Sequence, residues 1–167
     1  MASKAERLSF LLAFIFTLTL AAVFLFIASG MVPYWQKLSG AELQSWFAGP
    51  FTRFAYMMIV VHLMSIGTMI WAFALHRRAE QSIKKLWYIA FVTLVIWQAF
   101  NFTLFGVNYN LALQSGTLDP DVALQTMDSR VFFHKVRKAS VYVSVVALAL
   151  IFLRSTTDAT VRAESSD

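Results

Sequence analysis

Chemistry in this chain rests on a few polar side chains set inside long apolar runs. His62 and Ser65 share a face with Met58 and Met69, following the three-to-four spacing of a helical stripe. At 1.5 Å per residue, His62 lies roughly 15 Å from one end of its run. Gln98, Asn101 and Asn108 share a face of a later run, with Gln98 about eleven residues from its start, near the same depth. His134, Arg137 and Ser144 form a third stripe. A histidine is the side chain best suited to move a proton near neutral pH. Gln98 and Asn101 can donate hydrogen bonds to a carbonyl or phenolate, as an oxyanion-stabilising site does. The candidate catalytic residues are therefore His62, His134 and Arg137. The candidate substrate contacts are Gln98, Asn101, Asn108, Asn110, Met58 and Ser65, with methionine and phenylalanine as apolar walls.

The same side chains have a plainer use. Amides, hydroxyls and imidazoles join helices by hydrogen bonds of about 0.6–2 kcal/mol each. Arg137 either reaches to lipid headgroups or turns inward to pair with an acid such as Glu42, Asp119 or Asp128.

Other chemistries fit less well. Cysteine is absent, which excludes thiol redox chemistry and thiolate metal sites. The three histidines sit at three depths, so paired haem ligation is disfavoured. No His-x-x-x-His or Glu-x-x-His spacing appears, and no acid lies within an apolar run. No glycine-rich phosphate loop or nucleophile elbow is present. The expectation is no metal and no cofactor.

The elements that hold these residues follow from composition. The chain has 167 residues, 59% hydrophobic and 14% charged. A soluble domain carries about 25% charge. A helix needs about 20 apolar residues to cross a bilayer core. Four runs qualify: Leu8 to about Ser29, about Phe51 to Leu75, Leu86 to about Val107, and about Val131 to Leu153. Desolvated backbone must bond to itself, and no run alternates with period two, so all four are expected as helices. The first run is too long for a signal-peptide core and is expected to be retained. The fold class expected is all-α: an integral-membrane antiparallel four-helix bundle forming one domain over residues 1–154. A polar tail over 155–167 is expected to be disordered.

Lys and Arg near the run ends set orientation. With the N-terminus inside, the inner side holds Lys4, Arg7, Arg77, Arg78, Lys84, Lys85, Arg154 and Arg162. The outer side holds Lys37, Arg53, Arg130, Lys135, Arg137 and Lys138. The excess places both termini inside, in the inner membrane if the cell is bacterial. The two outer loops are the longer ones, and each is expected to carry a short interfacial helix. Gly40 to Phe47 is spaced for one. Asp119-Pro120-Asp121 opens another that ends near Asp128. The net charge of +5 is explained by contact with anionic lipid, without nucleic acid. A protein partner or homo-oligomer stays open.

Gly106-Val107-Asn108-Tyr109-Asn110-Leu111, followed by Phe133-His134-Lys135-Val136-Arg137, resembles the anthrone-oxygenase-like family of small four-helix membrane proteins. The segments Val32-Pro33-Tyr34-Trp35 and Leu43-Gln44-Ser45-Trp46-Phe47 also resemble bacterial members. The resemblance implies that Asn108, Asn110, His134 and Arg137 form the characteristic site. It also implies cofactor-independent oxidation of anthrones to anthraquinones by molecular oxygen. Two expectations follow. One is an oxygenase, or a binder of a flat aromatic or quinone-like molecule in a polar-lined pocket within the bundle. The other is a non-enzymatic accessory or lipid- or quinone-binding membrane subunit.

Overall fold

The computed structural model describes residues 3–78, 81–101 and 107–164, with the side chains of 78, 82, 101, 107 and 157–164 left undescribed. Among the described residues the chain is all-helical, with no strand. Four helices are long and apolar enough to cross a membrane: Lys4–Trp35, Pro50–Leu75, Ile83–Phe100 and Pro120–Thr156. In each, only 28–33% of the most apolar stretch is buried, so most of that stretch faces outward. Tyr56, Val60, Leu63, Phe132 and Val146 are each more than half exposed. That much outward-facing apolar surface is compatible with a multi-pass membrane protein.

Helix α1 (Lys4–Trp35) begins with a capping box, in which Ser3 and Glu6 satisfy each other's backbone N–H groups. It does not stop at Ser29. The turn widens at Ile27–Met31 and the helix continues through Pro33 to Trp35. A proline ring clashes with the carbonyl four residues back in a regular helix, and the wider turn relieves that clash. Helix α2 (Gly40–Ala48) also starts in a capping box, from Ser39 and Glu42. Helix α3 (Pro50–Leu75) has proline in its first turn and passes into a tight turn at His76–Arg78.

The third span consists of α4 (Gln81–Phe91), a widened turn at Val92–Ile96, and α5 (Trp97–Asn101). Its expected end near Val107 falls beside residues 102–106, which lie outside the described set. Helix α6 (Val107–Gln114) occupies part of the expected second outer loop. Helix α7 (Pro120–Glu164) differs most from expectation. The short helix expected to end near Asp128 runs without a break into the fourth span, and the helix then passes Arg154 to reach Glu164. Neither Gly nor Pro occurs after Pro120 to interrupt it. One face of it, including Ala123, Met127, Val141 and Leu148, is buried throughout.

The first helix packs against α3 and α7, and the third span packs against α7. The loop helix α2 is clamped onto the start of α7. Gln44 Nε2 donates to the Leu118 carbonyl (2.9 Å), and the Leu118 N–H donates to Gln44 Oε1 (3.0 Å). The approach is close enough that a Cβ at Gly40 would run into the Pro120 backbone. This docking delivers Phe47 and, just after it, Phe51 to the side of α7 that bears Arg130.

Candidate functional site

Arg130, His134 and Arg137 occupy positions i, i+4 and i+7 of α7, one continuous stripe. The stripe faces inward: Arg130 is 8% exposed and His134 is 3% exposed. Arg137, two turns along, is partly buried.

Phe24 of α1 is the centre of the site. Its ring meets His62 edge-on at 5.4 Å and His134 at 5.3 Å between centroids. The Arg137 guanidinium carbon stands 5.3 Å from the same ring. His134 Nε2 donates to the Phe24 backbone carbonyl (3.3 Å). His62 Nδ1 donates to the Met58 carbonyl one turn back (2.9 Å). With each neutral ring donating through the named nitrogen, His62 Nε2 and His134 Nδ1 carry the basic lone pairs. The two imidazoles, read from sequence as belonging to different depths, therefore share one aromatic neighbour.

Arg130 sits in an aromatic cage. Its guanidinium carbon lies 4.6 Å from the Trp35 ring and 4.9 Å from the rings of both Phe47 and Phe51. Nε donates to Asn110 Oδ1 (2.7 Å), which ties α6 to α7. Among the described residues, the buried Arg130 NH1 and Arg137 Nε meet no hydrogen-bond acceptor.

Among the described residues neither arginine has a carboxylate partner. The inward pairing of Arg137 with Glu42, Asp119 or Asp128 does not form. The Glu42 carboxylate instead accepts from the Ser39 N–H (2.8 Å) and hydroxyl (2.7 Å). These two bonds, the backbone one first, hold Glu42 below the usual carboxylate value. Asp119 accepts from the Asp121 N–H (2.9 Å), and Asp128 is exposed.

The remaining candidates divide by surroundings. Gln98 is 1% exposed; its Nε2 donates to the Arg137 carbonyl (3.1 Å) and the Ser140 hydroxyl (2.8 Å). Because that carbonyl needs a donor, the amide orientation is determined, and the buried Oε1 has no partner among the described residues. Ser65 lies 3.4 Å from the Thr17 hydroxyl, a link between α1 and α3. Met58 is buried and supplies the carbonyl that holds His62. Asn110 contacts Arg130, whereas Asn108 is exposed. The Asn101 side chain lies outside the described set.

Sequence reasoning missed Phe24, Arg130 and the cage of Trp35, Phe47 and Phe51. Arg130 had a usable signal, since the His134–Arg137 stripe extends to it if no break is placed near Asp128. Phe24 had none, because nothing distinguishes it from other phenylalanines in an apolar run. Among the described residues no three His, Asp or Glu groups gather where a metal ion could be held. A separate open groove of about 360 Å³ runs between Leu86 and Ile89 on one side and Tyr142, Val146 and Leu150 on the other. It is lined by apolar surface and shares no residue with the polar cluster. Comparison with protein-family models, with curated proteins and with solved structures finds no match.

Proposed function

We propose that this chain is an antiparallel four-span membrane protein, with both termini inside, that takes up a flat aromatic or quinone-like molecule beside Phe24. The observation that carries the reading is the convergence of two imidazoles and a guanidinium on that one ring. Intramembrane polar groups are costly and concentrate where a ligand or wet cavity meets them. The pairings between helices support the antiparallel arrangement. Phe10 meets Phe152 while Phe24 meets His134, so residue numbers rise on α1 as they fall on α7.

The resemblance to the anthrone-oxygenase-like family extends the reading to chemistry that needs no cofactor. His134 or His62 takes a proton from an acidic carbon or phenol of the substrate. Arg137 stabilises the oxyanion that results, in a setting where water does not compete. The carbanion form then reacts with molecular oxygen. One anthrone and one O2 give one anthraquinone and one water, the ring CH2 becoming C=O.

A second reading is a non-enzymatic quinone- or lipid-binding subunit. The hydroxyl pairs Thr17–Ser65 (3.4 Å) and Thr93–Ser144 (2.7 Å) favour it, because they use polar residues purely to join helices. Protein in phosphatidylcholine nanodiscs, titrated with an anthrone under oxygen-uptake recording, separates the two. Saturable binding with uptake supports the oxygenase. Saturable binding without uptake supports the binding subunit. No saturable binding of anthrone, anthraquinone or quinol overturns both.

A further inference from the structure

Two arginines on one buried stripe, with no described acid beside either, leave the site with uncompensated positive charge. A buried cation is normally paired, because removing it from water is expensive unless an anion or acceptors replace the hydration. Here aromatic faces replace part of it. Asn110 supplies one acceptor to Arg130, and the Arg137 guanidinium has no hydrogen bond among the described residues. Arg130 NH1 and Arg137 Nε remain as buried donors aligned along α7. Seven residues of helix separate the two positions by about 10 Å, comparable to the length of a two- or three-ring aromatic body.

Resting on the small-molecule reading above, we infer that the ligand of this site is an aromatic acid bound as its anion, with oxygens facing Arg130 and Arg137. The negative charge belongs to the ligand before any reaction, as in a carboxylate. It both balances the arginines and supplies the acceptors they lack. A neutral quinone offers only weak carbonyl acceptors and leaves the charge unbalanced. Arg130, held rigid by three rings, sets one end of the ligand, while Arg137 meets the other beside the imidazoles.

The test compares two probes of similar shape, anthraquinone-2-carboxylate and neutral 2-methylanthraquinone. Each is titrated calorimetrically into the full-length protein in phosphatidylcholine nanodiscs. A charge-assisted hydrogen bond predicts that the carboxylate binds at least about tenfold more tightly. The preference should fall in Arg137→Gln and be largely kept in Arg137→Lys. Equal affinities overturn the acid assignment while leaving the flat-aromatic reading in place. Binding of neither probe overturns both. The wild-type comparison decides the matter even if a variant fails to fold, and a preference unchanged in a folded Arg137→Gln also overturns it. Repeating the titration with phosphatidylglycerol identifies the source of the oxyanion. Undiminished carboxylate binding supports the aromatic acid, and competitive loss assigns the same oxyanion site to a lipid headgroup and overturns the aromatic acid.

Discussion

The polar groups of this chain solve the problem of burial in two different ways, depending on which part of the bundle they occupy. In one region, hydroxyls face each other across helices: Thr17 with Ser65, and Thr93 with Ser144, which also donates to the Ala90 carbonyl (3.3 Å). Each of these groups is satisfied by the protein, so nothing there calls for a ligand. In the other region, around Phe24, cations and imidazoles meet aromatic rings, and buried donors on Arg130 and Arg137 find no acceptor among the described residues. The contrast separates polar residues that join helices from those whose buried donors find no acceptor among the described residues.

The largest expected effect is at the centre of the second region. Phe24→Ala removes a fully buried ring and is expected to cost about 3–5 kcal/mol while abolishing ligand binding, as read by thermal unfolding in detergent and by titration. Loss of binding without loss of stability would mean the ring serves the ligand alone. Gly40→Ala forces a Cβ into the Pro120 backbone and is expected to cost about 1–3 kcal/mol. Hydrogen exchange should show it first in α2, because that is the helix the close approach docks.

Ser65→Ala in the hydroxyl region is expected to cost about 0.6–2 kcal/mol, with Thr17→Val costing little more once Ser65 is gone. That double-mutant cycle checks whether the pair is a single interaction; fully additive costs would break it. Arg137→Met inverts the pattern. Replacing a poorly compensated buried charge by an apolar side chain of similar length should leave unfolding stability equal or raised while eliminating the preference for a carboxylate. A marked destabilisation would make the two regions alike.

The smallest effect concerns pH. Glu42 is held below its ordinary value of 4.5 by its bonds from Ser39. A depressed acid contributes stability that is fully present above the unfolded value and lost as pH falls through the folded one. Protease sensitivity of residues 39–48 should therefore rise only below about pH 4.5, and Glu42→Gln should flatten that dependence.

The spans were the most legible part of the fold. Phe51 to Leu75 was read almost to its ends, because an apolar run flanked by proline and a basic cluster leaves few alternatives. The ends of the first and fourth helices were read less well. Gly30 and Pro33 look like a stop, but a widened turn carries the helix past them. Residues 128–130 look like a loop, but the chain contains no residue there that breaks a helix. That misplaced break hid Arg130, the third member of a stripe whose other two members were already in view.

Apolar length and the absence of period-two alternation were enough to point to helices and to four potential spans, because desolvated backbone admits few other structures. Periodicity was enough to place His134 and Arg137 on one face. Only the tertiary structure brought Phe24 to His134, a residue 110 positions away. Likewise, only the tertiary structure assembled Trp35, Phe47 and Phe51 around Arg130. The reason is physical: burial and partnership belong to pairs of surfaces, and a single segment's pattern shows which face turns inward without showing what it will meet there.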